Sequence, residues 1–228
     1  MKLRTHWTIS ALKDYETCPL KYQYSYLFDA DDWRRLGYKV VPDKGSPAMQ
    51  RGTDIHESIE HYLDGTSPAL HPEIGPAWAI QIHNLKDIGA VPEQQWELEE
   101  GWHPFEGGPV WLRLKMDAHY HLDSTSLALI DFKTGKPYPA NMEQVEVYAL
   151  AAFAMFDNVQ EVHGALWYLD GDEPDEKTFK RSQASKLARK WEQRANALLK
   201  AKDYPPRRNR FCNWCAYNKA KGGPCQPP

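Results

Sequence analysis

The stretch Leu127-Ala128-Leu129-Ile130-Asp131-Phe132-Lys133-Thr134-Gly135 decides how this chain is read. Four apolar residues end on an aspartate, and a lysine follows two positions later. On a strand, residues two apart leave the same face, so Asp131 and Lys133 stand together while Phe132 points into the core. Gly135 and Pro137 end the strand. One Asp-x-Lys pair by itself reads first as a surface ion pair, so the neighbouring strand matters.

Just upstream, Leu112, Leu114, Met116, Ala118, Tyr120 and Leu122 alternate with Trp111, Arg113, Lys115, Asp117, His119 and His121. That alternation predicts a half-buried strand with a mostly polar opposite face. Ser124-Thr125-Ser126 turns the chain back, so pairing of the two strands brings Asp117 towards Asp131. Two carboxylates and the Phe132 carbonyl make a hard oxygen set that suits Mg²⁺, with coordination positions left for phosphate and water. Lys133 would set a positive charge beside the attacking water and the charge developing on phosphorus.

Outward from this hairpin, Ser10 is expected to cap a helix through Leu12, Tyr15, Cys18, Tyr22 and Tyr26, kinked at Pro19. A loop with Pro42, Gly45 and Pro47 leads to a helix over 47–64, stopped by Gly65, and a third helix covers 74–88. Trp96 to Trp102 reads as extended. After the hairpin come a helix over 141–156, strands at Val162–Leu169 and Lys177–Lys180, and a long helix over 183–202. This order predicts an α/β fold, a mixed central sheet flanked by helices. The 228 residues are read as one domain: an N-terminal helix with the first cysteine in 1–45, a core in 46–182, and a basic helix with a Cys-rich segment in 183–228.

At 42% hydrophobic and 26% charged, the chain can bury a sizeable core, which excludes a disordered protein. No apolar run approaches the roughly 20 residues that cross a bilayer. The start lacks the apolar stretch of a signal peptide, so a soluble cytoplasmic protein with no membrane contact is expected. Net charge is −3, yet Glu176 to Lys221 carries 14 Lys and Arg against three acids. A basic C-terminal third beside an acidic body suits a polyanion held next to metal-binding carboxylates, or else a solvated helix face. The four cysteines are Cys18, Cys212, Cys215 and Cys225. In a cytoplasmic chain such a set suggests metal ligation. Zinc, an iron–sulfur cluster and unrelated thiols all stay open on the residues alone.

Asp117 followed by Asp131-Phe132-Lys133 resembles the core of the PD-(D/E)XK nuclease superfamily, in its RecB-like branch. That branch has a Gly-x-x-x-His motif on a helix before the sheet, matched by Gly52-Thr53-Asp54-Ile55-His56, and a Gln-x-x-x-Tyr motif on the helix after the lysine strand, matched by Gln144-Val145-Glu146-Val147-Tyr148. The resemblance spans about residues 8 to 225 and implies a restriction-endonuclease-like fold. It implies one or two Mg²⁺ or Mn²⁺ ions held by Asp117, Asp131, His56 and the Phe132 carbonyl. Lys133 would be catalytic, and Gln144 and Tyr148 would contact the DNA backbone or orient Lys133. Glu57 and Glu143 are candidates for outer positions.

One N-terminal cysteine plus three C-terminal ones resembles the iron–sulfur subset of the branch, including the AddB-type nuclease domain and the CRISPR-associated exonucleases. The resemblance implies a [4Fe–4S] cluster on Cys18, Cys212, Cys215 and Cys225, tying the two ends of the chain together, with Zn²⁺ as the alternative. It implies a DNA exonuclease acting on single strands or free ends, within recombination, repair, CRISPR or phage DNA metabolism. Arg207, Arg208 and Arg210 are expected to receive the DNA backbone. No Walker-type Gly-Lys-Ser/Thr stretch occurs, so a helicase or other DNA-processing subunit would be a partner chain. The competing class is a DNA-binding or assembly subunit, inactive alone.

Overall fold

Helices α4 (Pro47–Leu63) and α5 (Pro76–Asp87) cover one face of a six-stranded sheet, and α1 (Ile9–Thr17), α6 (Met142–Met155) and α7 (Ala184–Leu199) cover the other. This is the arrangement of a computed structural model that describes residues 4–39, 46–171 and 173–226. The strands are β1 (Val91–Glu99), β2 (His103–Pro104), β3 (Leu112–His121), β4 (Ser126–Lys133), β5 (Glu161–Tyr168) and β6 (Pro174–Lys180). They lie in the order β2-β1-β3-β4-β5-β6. Only β4 and β5 run parallel, joined by α6 as the crossover that parallel neighbours need. The sheet is therefore mixed, as the sequence predicts.

Alternation along β4 sorts its side chains between the two cores. Leu127 and Leu129 join the layer under α1, α6 and α7, while Ile130 and Phe132 join Ile55, Ile59, Trp78 and Ile82 under α4 and α5. Because both faces are covered, β4 is buried almost throughout, which explains its unbroken apolar run. The alternation predicted for β3 holds from Leu112 to Ala118 and then fails: His119 is buried and Tyr120 only partly so.

Ser46 caps α4, accepting the Met49 N–H at 3.2 Å, and Pro47 opens the helix where its missing donor costs nothing. Ile55, Ile59 and Leu63, spaced by four, bury one stripe of α4. The first helix differs from expectation. Thr8, not Ser10, is the cap, its hydroxyl accepting the Ala11 N–H at 3.2 Å. Nor is there one kinked helix, because the residue before a proline is driven out of the α region. Cys18 is extended (φ −160°, ψ 107°), and a new helix, α2 (Pro19–Tyr22), starts behind it and runs into a π-helical turn at Gln23–Leu27. The short α3 (Ala30–Arg35), unforeseen, carries a capping box of Asp29 and Asp32 and buries Trp33. Pro42 and Gly45 of the expected loop lie outside the described residues.

The two ends of the chain meet. Arg194 of α7 makes a two-pronged ion pair with Glu16, both arms at 2.7 Å. The Asn209 amide donates to the Thr17 carbonyl at 3.2 Å, and Ser25 and Tyr217 share a hydroxyl hydrogen bond of 3.0 Å. Much of the basic third is spent inside the protein: Lys177 and Lys190 both reach the buried Glu146, at 3.2 and 2.8 Å. Among the described residues, no helix is long and apolar enough to cross a membrane.

Candidate active site

Strands β3 and β4 pair from His121–Leu127 down to Ala118–Ile130, and there the ladder stops. Just beyond, the Phe132 N–H donates to the Asp117 side chain (Oδ2, 2.7 Å). The fork between the strands is thus closed by a carboxylate, and Asp117 comes to lie next to Asp131. The other Asp117 oxygen faces His56 Nδ1 across 3.3 Å. His56 reaches it from α4, one helical turn after Gly52. A β-carbon on Gly52 would lie 3.0 Å from the Thr134 hydroxyl, so glycine is what lets α4 close on the end of β4.

Asp131 is only 3% exposed. Its Oδ1 accepts from the Gln144 amide at 2.9 Å and from the Tyr148 hydroxyl at 3.4 Å. Its Oδ2 is buried without a well-formed hydrogen bond, the Lys133 ammonium standing 2.5 Å away. Lys133 also donates to Gln144 Oε1 at 3.4 Å, so one glutamine touches both members of the Asp-x-Lys pair. Tyr148 is buried, with its hydroxyl donating to the Lys115 carbonyl at 2.8 Å. Gln144 thus contacts both Asp131 and Lys133. Tyr148 stands behind it, away from solvent.

The electrostatics describe a pocket short of positive charge. Burial, and then the neighbouring Asp117 carboxylate, push the Asp131 carboxyl well above the ordinary carboxylate range, against the pull of Lys133 and His56. Burial works against charging His56, but the Asp117 carboxylate outweighs it and leaves the imidazole more basic than usual. Two close carboxylates and an imidazole form a donor set that fits a divalent cation. As the side chains are placed, no group of three His, Cys, Asp or Glu among the described residues closes on a single point.

Two contributors escape the sequence reading. Lys13 of α1 donates to the Ala140 carbonyl at 3.2 Å, and burial followed by the nearby Lys133 charge lowers its pKa. Asp170, after β5, accepts both arms of Arg51 (2.7 and 3.1 Å) and the Gly135 N–H (2.7 Å), tying the turn after Lys133 to the start of α4. Neither follows from a motif, since each joins elements far apart in sequence. Glu143 is an ion-pair partner of Arg194 at 3.1 Å and stands outside the carboxylate pocket.

A family profile described as "PD-(D/E)XK nuclease superfamily" matches residues 6–103 and 84–220, nearly the whole chain. This chain belongs to the PD-(D/E)XK nuclease superfamily. Membership implies a nuclease whose substrate is DNA. A solved structure titled "Crystal structure of SSO0001" is similar at 14% identity over 95% of this chain and 86% of that one, with a TM-score of 0.49. No curated protein matches the chain.

The four cysteines are brought together: Cys18, Cys212, Cys215 and Cys225 line one cavity of about 360 Å³ between the N-terminal helices and the C-terminal loop. Burial, then the Cys18, Cys215 and Cys212 thiols, push the Cys225 thiol up. Backbone N–H groups of Arg207 and Asn209 donate to Cys18 (3.4 Å) and Cys212 (3.3 Å). Such donors are what thiolate ligands commonly receive, so the donor set fits a thiolate-bound group.

Proposed function

We propose that the chain is a Mg²⁺- or Mn²⁺-dependent deoxyribonuclease, acting as an exonuclease on single strands or DNA ends. Asp117, Asp131, His56 and the Phe132 carbonyl would hold one or two ions. When bound, the cation supplies Lewis-acid polarisation of the phosphodiester and makes water a better nucleophile at neutral pH. Lys133 places its ammonium where charge builds on the phosphoryl oxygens. Gln144 fixes the separation of Lys133 and Asp131, and Tyr148 holds the Asp131 carboxylate in one orientation from inside the core. Phe132, anchored under α4, keeps the strand from rotating those groups out of the pocket.

The observation that carries this reading is the buried Asp131 carboxylate set beside Asp117 in the fork between β3 and β4, with the Lys133 ammonium 2.5 Å from it. Two carboxylates held this close repel each other, which helps to raise the Asp131 pKa, and a divalent cation between them would relieve that repulsion. The test is incubation of the purified chain with linear single- and double-stranded DNA, with and without Mn²⁺. Shortening of the strands only with the ion supports the reading, and uncut DNA in every condition removes it.

For the cysteines we propose a [4Fe–4S] cluster acting as a clasp between the two ends of the chain. A single zinc would draw four sulfurs to about 3.8 Å from one another. Four cysteines around one cavity can hold either group, and the one-plus-three arrangement, similar to the iron–sulfur subset of the RecB-like branch, favours the cluster. This role does not require the cluster to touch the cleavage chemistry.

A further inference from the structure

The most exposed large apolar side chain described is Trp214, at 72%, and it does not stand alone. Phe211 and Tyr138 are 48% and 49% exposed. The Arg210 guanidinium lies 4.8 Å over the Phe211 ring and donates to the Tyr138 hydroxyl at 3.2 Å. Trp214 sits one turn on, its N–H donating to the Phe211 carbonyl at 3.0 Å, so the two rings share the rim of the cysteine cavity. Other exposed apolar residues, such as Ile80, Leu36 and Leu122, are scattered on separate elements, which is ordinary for a soluble surface.

Charge sets this patch apart from a protein-docking face. From Tyr204 to Gln226 the chain contains no Asp or Glu, but it carries Arg207, Arg208, Arg210, Lys219 and Lys221. Where side-chain partners are seen they are neutral oxygens: the Glu16 carbonyl for Arg207, the Tyr138 hydroxyl for Arg210 and the Trp214 carbonyl for Lys221. Arg207, Arg210 and Lys221 are thus oriented by neutral groups. Flat aromatic faces interleaved with guanidinium and ammonium groups are the pairing that unpaired bases and their phosphates require. Tyr138 also lies five residues after Lys133, which keeps this member of the patch within about 18 Å of that lysine.

We infer that Trp214, Phe211 and Tyr138, with Arg210 between them, form a stacking platform that holds the bases of a single DNA strand a few nucleotides from the point of cleavage. The inference rests on the nuclease reading and deepens it by naming the residues that hold the bases of the strand. A base inside a duplex is already stacked, so the platform selects single strands or frayed ends over intact duplex. It also gives the cysteine clasp a purpose, because the segment that presents Phe211 and Trp214 is the one Cys212 and Cys215 anchor.

The test is binding of a fluorescein-labelled 12-mer oligothymidylate, and of an abasic strand of equal length, followed by fluorescence anisotropy without added divalent ion. Wild type is expected to bind the thymidylate strand about tenfold more tightly than the abasic one. Trp214→Ala should lose about tenfold on thymidylate and nothing on the abasic strand, and Trp214→Phe should stay close to wild type. Equal affinity of wild type and Trp214→Ala for thymidylate overturns the inference, as does an equal loss on both strands. If Trp214 only screens the cysteines, the variant alters thiol accessibility and leaves strand affinity unchanged, which also overturns it. Because the readout is binding, a chain that discriminates bases but never cuts DNA keeps the platform and loses the nuclease reading. A chain that cuts DNA but ignores bases does the reverse.

Discussion

The Phe132 N–H donates to Asp117 Oδ2 across 2.7 Å at the point where β3 and β4 cease to pair. A side chain thus does the work of a strand carbonyl and sets the spacing of the two carboxylates. Asparagine at 117 can still accept this hydrogen bond, but alanine cannot. Asp117→Ala is therefore expected to be less stable than Asp117→Asn by about 1–3 kcal/mol, the cost of an unpaired buried donor. Urea unfolding of both variants measures the gap, while both should lose metal-dependent cleavage. Equal stabilities would show that the bond does not hold the fork.

Gln144 joins Lys133 to Asp131, so its loss should loosen both without opening the core. Gln144→Leu is expected to lower kcat about 10- to 100-fold with KM for DNA little changed. Steady-state cleavage kinetics separate this from a DNA-contact role, which would raise KM instead.

Gly52 is a case where helix propensity and function oppose each other. Alanine there should favour α4 by about 1 kcal/mol, yet its methyl meets the Thr134 hydroxyl at 3.0 Å. Cleavage by Gly52→Ala should fall several-fold, and adding Thr134→Ala should restore it by removing the obstructing atom. An unrescued double variant would place the defect elsewhere.

His119 lies in the core between Trp96 and Phe156, its Nδ1 without a partner, and burial, then the His121 charge, lowers its pKa to about 4. The unfolded chain takes up this proton near pH 6.5, and the folded one resists until about pH 4. Protonation therefore favours unfolding, so stability is full above pH 6.5 and falls as the pH drops towards 4, by up to about 3 kcal/mol from this group. In urea unfolding at pH 7.0 and 4.5, His119→Phe should lose distinctly less stability than wild type.

How much of this was legible beforehand follows from the range over which each signal acts. The Asp131–Phe132–Lys133 alternation is local and depends only on strand geometry, so it holds as read, as does the gathering of His56, Asp117, Gln144 and Tyr148 at the end of β4. The α1 cap lies two residues before the expected Ser10 because Thr8 and Ser10 both have capping hydroxyls and only packing chooses between them. Pro19 signals the disturbance at Cys18, expected as a kink and found as a full break, while the Asp29–Asp32 spacing that marks α3 is a short local signal with no apolar period around it. The Arg51–Asp170–Gly135 clamp and Lys13 join distant elements and left no mark in any local pattern. The basic third was ambiguous for a physical reason: Lys177, Lys190 and Arg194 neutralise buried or half-buried acids, while Arg207, Arg210 and Lys221 do not.

The cysteine clasp predicts its own inventory. Protein purified without oxygen should be brown and contain about four irons per chain, and Cys18→Ser or Cys225→Ser should lose colour and thermal stability together. Iron analysis and visible absorption check this, and a colourless protein with one zinc per chain would decide for the alternative.

The account stands most directly on Mn²⁺-dependent cleavage of linear DNA by wild type, Asp131→Ala and Lys133→Ala, assayed together with circular dichroism and with DNA binding in the absence of the ion. Cleavage by wild type alone, with fold and binding kept in both variants, is the predicted result. Undiminished cleavage by Asp131→Ala or Lys133→Ala would contradict it.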